Sequence, residues 1–285
     1  MLFAVHISDG VLSWPWLAGG FVVAGILLAL SVRRIRDEEI PRVALLTAAF
    51  FVASLIHVKA GPTSIHLLLN GLIGVFLGRR AALAVFVGLL LQAVLMQHGG
   101  FLVLGVNVCI MTAPALLSFA LYRLLHRIPW IKSPTARMLL VGIGAFLWAL
   151  SAIYSITLLC NTSLTSIDES AFAIANERIT NVWLFLVPSV LFAIVAIVIE
   201  RRLENAPEFP LGFLIGKLSV LMTAALNCVV LVLGGVEHWP VAPLLLVIAH
   251  LPFAVVEGVV LGFLVGFLAK VKPEMLGPID AYAPK

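Results

Sequence analysis

Long apolar stretches follow one another through almost the whole chain, with only short polar loops between them. The clear ones are Trp14–Val32, Pro41–His57, Ala81–Gln97, Leu104–Leu125, Arg137–Cys160, Asn181–Glu200, Leu211–Leu233 and Ala242–Lys270. A helix must supply about 20 apolar residues to cross roughly 30 Å of hydrocarbon, and these stretches reach or approach that length. One more, Thr63–Gly78, lies near the minimum and reads as a short or partly broken crossing. Irregular backbone at membrane depth survives only when packed against protein, where it often marks a binding site. The expected fold is all-α: a polytopic membrane helical bundle of about nine hydrophobic segments, with a range of roughly 7–9. It forms a single transmembrane domain over residues 1–285.

Composition excludes the other classes. Hydrophobic residues make up 62% of the 285 and charged residues 11%, with a mean hydropathy of +1.15. A soluble domain carries about 25% charged residues, so this chain could not cover a water-facing surface. Disordered segments are poor in apolar residues, which removes that class too. The net charge of +4 does not imply nucleic acid, because the basic residues sit between apolar runs and form no basic face. The surroundings implied are a lipid bilayer, with the chain as a multi-pass protein of the cell membrane. Cys109, Cys160 and Cys228 are widely spaced and form no C-x-x-C, so neither a disulfide framework nor a zinc knuckle is expected.

Basic residues set the orientation. Arg33, Arg34, Arg36 and Arg42 follow the first stretch, and Arg79 with Arg80 follow the short one. Arg123, Arg127, Lys132 and Arg137 come next, then Arg201 and Arg202, and finally Lys270 and Lys272. The intervening loops hold Lys59 and Arg178 beside Asp168, Glu169, Glu177 and Glu237. Cytoplasmic loops collect Lys and Arg, so the N-terminus is expected outside and the C-terminus in the cytoplasm. The start, Met1 to Gly10, has no basic region or cleavage site of a signal peptide. Asn161–Thr180 is expected to be an outer loop.

Nucleotide hydrolysis by the chain itself is not expected. The segment Gly212-Phe-Leu-Ile-Gly216-Lys217-Leu218 lacks the spacing of a phosphate loop and carries Leu where the magnesium hydroxyl belongs. No G-x-S-x-G or H-E-x-x-H is present, so an enzyme is not expected. The histidines carry the signal instead. On the expected topology His6, His57, His66, His98 and His238 lie on or near the outer face, where an imported cation would arrive; His126 is cytoplasmic and His250 lies within the last stretch. Imidazole nitrogen suits transition metals rather than calcium or magnesium. Any one histidine taken alone reads as an interfacial or hydrogen-bonded residue sooner than as a ligand.

Four ordered motifs then point to one family. Val5-His6-Ile7-Ser8-Asp9-Gly10-Val11-Leu12 resembles M-H-I-x-[DE]-G-x-L. Gly61-Pro62-Thr63-Ser64-Ile65-His66-Leu67-Leu68 resembles G-T-S-x-H-L-L. Gln97-His98-Gly99-Gly100 with Leu104-Gly105-Val106-Asn107 resembles H-G-G-L-x-x-L-G-A-N, and His250-Leu251-Pro252 through Glu257-Gly258 resembles H-L-P-x-A-x-x-E-G. Together they resemble the CbiM/NikM family, the substrate-binding membrane subunits of energy-coupling-factor cobalt and nickel transporters. The resemblance implies capture of Co(II) or Ni(II) as transported ions, with no permanent cofactor. It also implies separate ATPase subunits, a transmembrane coupling subunit and a small accessory membrane subunit as partners, and delivery to cobalamin biosynthesis or nickel enzymes. Residues 161–233 read as an extra outer loop with a helical hairpin, outside what the resemblance explains.

The resemblance further implies the ligands: an amine and backbone nitrogen around Val5–His6, the His6 ring through Nδ1, and His66. Residues 1–13 then form an N-terminal metal-binding segment. Amine, amide and imidazole nitrogens close adjacent chelate rings, and a second imidazole completes a plane suited to Ni(II) and Cu(II). Here residue 5 is Val and four residues precede it. Translation from a GTG codon at position 5 would restore the amine; an extension that is trimmed, or that alters the site, is the alternative. Asn70, four residues after His66, is expected on the same helix face, either holding the imidazole or bonding a neighbouring helix. Asn107 and His98 are expected to line the same cavity, Asp9 to cap the first helix, and Ser64 with Thr63 to shape the loop. Glu257, seven residues after His250, reads as polar packing or an ion pair rather than a ligand. The other functional reading is a gradient-driven metal carrier or intramembrane enzyme using His250 and Glu257.

Overall fold

The computed structural model describes residues 3–4, 6–60, 63–126, 133–161, 182–202, 208–236 and 242–276. Its helices are α1 (Trp14–Val32), α2 (Ile40–Ser54), α3 (Asn70–Leu77), α4 (Ala81–Met96), α5 (Leu104–His126), α6 (Pro134–Asn161), α7 (Trp183–Arg202), α8 (Phe209–Gly234) and α9 (Ala242–Val271). Among the described residues, seven helical segments are long and apolar enough to cross a membrane, with Asn70–Met96 counted as one. That is the lower end of the expected range, for two local reasons. The stretch expected over Pro41–His57 is helical only through Ser54, 15 residues long. The short crossing expected over Thr63–Gly78 is broken: an extended strand comes first, and only Asn70–Leu77 is α-helical. Gly78, at φ +54, then turns the chain through a 3₁₀ turn into α4.

Short strands interrupt the all-α pattern beside that break. β1 (Phe3–Ala4), β2 (His57–Ala60) and β3 (Thr63–His66) form a small sheet in the order β1-β3-β2. β2 and β3 are antiparallel with His57 opposite His66, and β1 runs parallel to β3 with Ala4 opposite Ser64. The β-branched residues in Thr63-Ser-Ile-His66 suit extended backbone, and pairing satisfies amides that a broken crossing would otherwise leave bare in the membrane.

Small residues let the helices meet. A Cβ on Gly74 of α3 would strike the Ala115 carbonyl of α5, and one on Gly105 would strike the Phe21 backbone of α1. On α8, Gly212 and Gly216 face Gly262 and Gly258 of α9, with close approach of the two backbones. Gly258 and Gly262 thus serve packing within the chain, as close-packed helix interfaces in lipid require. Hydroxyls within the bundle bond back to their own helices, as Thr47, Ser118 and Thr223 do to the carbonyls four residues earlier.

The residues that follow the strand β1 are drawn into the bundle. Ile7 and Leu12 pack with Val103 just before α5, with Val106 and Ile110 of α5 and with Leu231 of α8. Backbone bonds pin the exit of this segment: Ser13 N–H donates to the Gly234 carbonyl at 2.9 Å, and Val236 N–H donates to Val11 at 2.9 Å. At its far end α1 joins a buried node. The Arg80 guanidinium bonds Glu39 Oε2 at 2.6 Å and reaches the carbonyls of Ser31, of Arg33 at 2.9 Å and of Arg34 at 2.8 Å. Burial pushes the Glu39 carboxyl up, but the hydrogen bond and charge of Arg80, with Arg36 beside it, hold it below its ordinary range. Helix α7 packs along α6 through an Arg137–Glu200 pair at 3.1 Å, and α6 docks through the Trp148 indole, which donates to the Leu251 carbonyl of α9 at 2.8 Å.

Candidate metal centre

Three histidines from distant parts of the chain meet inside the bundle. His6 follows β1, His66 ends β3, and His98 follows α4, where Gln97 at φ +51 terminates the helix. His6 is 1% exposed and His66 is fully buried. One nitrogen from each of the three rings lies within 4.8 Å of the others. The ring centres are 4.9 Å apart for His6 and His66, 5.2 Å for His6 and His98, and 5.5 Å for His66 and His98.

His66 has a defined donor face. Its Nδ1 lies 2.9 Å from the Leu67 carbonyl oxygen, which can only accept, so Nδ1 carries the proton. Its lone-pair nitrogen, Nε2, faces His6 Nε2 at 3.1 Å. Two nitrogens each about 2.1 Å from one ion and 3.1 Å apart subtend about 95° at it. That angle is nearer the right angle of a planar or octahedral site than the wider tetrahedral one. The nitrogen that His6 turns to His66 is Nε2, whereas the chelate implied by the family resemblance uses Nδ1; reaching it requires rotation of the ring. His98 offers a third imidazole within side-chain adjustment.

The supporting residues differ from several expectations. Asn107, expected to line the cavity with His98, lies on α5 and bonds the chain beside His6. Its Oδ1 accepts the Ile7 N–H at 3.1 Å and its Nδ2 donates to the Ile7 carbonyl at 2.9 Å, gripping the backbone next to His6. Asp9 does not cap α1. Gly10 at φ +87 turns the chain, and the Asp9 carboxylate instead accepts the N–H groups of Phe101 at 3.1 Å, Leu102 at 3.0 Å and Val103 at 3.1 Å, capping α5 from outside. Asn70 does not share a helix face with His66, because the backbone between them is not helical and Leu69 sits at φ +51. Its Nδ2 donates to Thr223 Oγ1 of α8 at 2.8 Å, the interhelical alternative. Ser64 contributes backbone pairing; its side chain, like Val5, lies outside the described residues.

Glu257 and Thr223 were not assigned these contacts from the sequence. The Glu257 carboxylate reaches across from α9 to the backbone amides of Leu68 and Leu69, the latter at 3.0 Å. An acidic residue at membrane depth was the available signal; the motif ending at Leu68 names that residue but not where its backbone amide points.

A family model described as the cobalt uptake substrate-specific transmembrane region, CbiM, matches residues 6–177 and 180–275. The chain belongs to the CbiM family. It is a multi-pass membrane component of metal uptake, and a transport protein rather than an enzyme. Among its relatives, a Haemophilus influenzae protein named for metal transport is 46% identical over 141 residues, 50% of this chain and 67% of that protein. The cobalt transport protein CbiM of Geobacter sulfurreducens is 34% identical over 114 residues, 37% of this chain and 33% of that protein, so the match spans about a third of that relative. The crystal structure of a transition metal transporter overlays with a TM-score of 0.53 at 17% identity, covering 98% of this chain and 100% of the other. A truncated transition metal transporter overlays with a TM-score of 0.50 at 16% identity, covering 94% and 98%. At such identities the likeness concerns the fold. Within the CbiM family match lie all three clustered histidines, Asp9, Asn107 and Glu257.

Proposed function

We propose that this chain is the metal-capture subunit of an ATP-driven energy-coupling-factor importer, with Co(II) or Ni(II) as its transported substrate and His6 and His66 as ligands. The observation that carries the reading is the approach of His6 Nε2 to His66 Nε2 at 3.1 Å in the buried centre. With the Nδ1 proton of His66 committed to a carbonyl, its Nε2 lone pair is aimed at His6 Nε2, and a metal ion can replace the proton held between the two nitrogens. Nitrogen donors near a right angle suit Ni(II) and Co(II) better than oxygen-seeking calcium or magnesium. If the chain starts at residue 5, its amine and the adjoining amide supply the remaining planar nitrogens. If residues precede Val5, His98 is the third nitrogen donor at hand.

Residues 6–13, pinned between α5 and α8, would serve as both ligand and plug. Because the chain has no phosphate loop of its own, separate ATPase subunits would drive release through a transmembrane coupling subunit, aided by a small accessory membrane subunit. The ion would then supply cobalamin biosynthesis or nickel enzymes. The test is equilibrium binding of Ni(II) and Co(II) to purified protein and its H6A and H66A variants. Loss of high-affinity binding in both folded variants is expected; wild-type affinity in both ends the assignment.

A further inference from the structure

Glu257 lies midway along α9, is 3% exposed, and its carboxylate accepts two hydrogen bonds from one short piece of backbone. Oε1 accepts the Leu68 N–H and Oε2 accepts the Leu69 N–H at 3.0 Å. A charged group at membrane depth is costly to keep, and buried amides could be satisfied by a neutral acceptor. What distinguishes this pairing is where the amides lie. They belong to the unwound residues between β3 and α3, immediately after His66. The Leu67 carbonyl of the same segment takes the His66 Nδ1 proton at 2.9 Å and so turns Nε2 toward His6. Leu69 is held at φ +51, a conformation a leucine adopts only under outside constraint. The carboxylate, the segment and the imidazole form one connected chain of contacts.

The other end of that chain is the pair α8–α9. The Glu257 carbonyl and Gly258 sit against Gly216 of α8. Gly71, one residue into α3, is close to Ser219 and Gly216 of the same helix, and Asn70 is tied to Thr223. The start of α3 is therefore docked on α8 and its leading amides are held from α9.

We propose that Glu257 is a positioning residue for the transported metal: by holding the amides of Leu68 and Leu69 it fixes the carbonyl that orients His66, and it links loading of the site to the α8–α9 pair. The proposal rests on the metal-capture reading above and extends it to a residue that touches no ion. Outer-shell partners that orient an imidazole typically change affinity by about 10–100-fold when removed. A carboxylate fits this pair because each oxygen accepts one N–H; a glutamine presents one oxygen and one N–H₂ to two N–H donors.

The test compares wild type with E257Q and E257A in lipid nanodiscs, using Ni(II) and Co(II) as probes. Three quantities are read: melting temperature without metal, Kd measured on the folded fraction, and hydrogen exchange at Leu68 and Leu69 with and without metal. The expected result is a Kd raised about 10–100-fold in E257Q, with metal slowing exchange at both amides in wild type and much less in the variant. A lower melting temperature with unchanged Kd would assign Glu257 to folding alone and overturn the proposal. Should neither variant fold, exchange in wild type decides, since unaltered protection of Leu68 and Leu69 on loading contradicts the link. If wild type binds neither metal, the capture reading fails and this proposal with it; tight binding by wild type and E257Q alike removes this proposal only.

Discussion

The side-chain amide of Asn107 pairs with both backbone groups of Ile7, accepting at 3.1 Å and donating at 2.9 Å. In effect a residue of α5 completes, for the segment next to His6, the pairing that a neighbouring strand would supply. Each such bond contributes about 0.5–1.5 kcal/mol, and stranding a buried partner costs about 1–3 kcal/mol. N107A is therefore expected to release the segment and weaken metal binding while the helices remain formed. N107D removes the donor and should act in the same direction. Isothermal titration with Ni(II), alongside circular dichroism, checks both.

Asp9 and Gly100 interlock. A Cβ on Gly100 would lie 2.2 Å from the Asp9 carboxylate, the group that accepts three amides at the start of α5. G100A should therefore displace Asp9 and mimic D9A. A lost cap costs about 0.5–2 kcal/mol, and because one contact is broken in either case the double variant should be far from additive. Thermal melting of the two single variants and the double one measures this; additive losses would separate the residues.

The Arg80–Glu39 node is expected to give a pH signature. Glu39 has a folded pKa below its ordinary 4.5, so folding binds fewer protons there than the unfolded chain does. Its stabilisation is present above pH about 4.5 and is lost as pH falls through the lowered folded value. Melting temperature should drop across that acid window in wild type and respond less in E39Q. R80A strands Glu39 and frees the carbonyls of Ser31, Arg33 and Arg34, so it should destabilise the fold even at neutral pH.

His98 is expected to contribute less than the other two rings. It lies within 4.8 Å of both as a ligand group and is less buried than they are, while His6 and His66 bring their Nε2 atoms to 3.1 Å of each other. H98A should weaken Ni(II) and Co(II) binding by about tenfold, the lower end of what an outer partner contributes, whereas H6A and H66A remove high-affinity binding. Competition titration with a coloured chelator ranks the three variants. Equal losses in all three would make His98 a full ligand.

Much of this was legible from particular residues. Apolar length is a local quantity, so the seven long spans could be read from it, whereas the short second helix and the break within Thr63–Gly78 depend on tertiary packing and could not. Contacts between motifs were not legible. Asp9 lies close in sequence to α1, and a local rule assigns it to that helix; the turn at Gly10 carries it to α5 instead. Asn70 obeyed helical spacing from His66, but spacing has meaning only where the backbone is helical, and residues 67–69 are not. Glu257 stood out by cost, yet its partners are amides nearly 190 positions away in sequence, at separations of 189 and 188.

X-ray absorption at the metal edge, on nickel-loaded protein whose N-terminus has been sequenced, reads the ligand shell itself. If His6 and His66 share one ion, the spectrum contains at least two imidazoles at about 2.0–2.1 Å in wild type, and one fewer in H66A loaded at nickel concentrations high enough to overcome its weakened binding. A shell of oxygen atoms alone, or a wild-type spectrum unchanged in H66A, would contradict a shared ion.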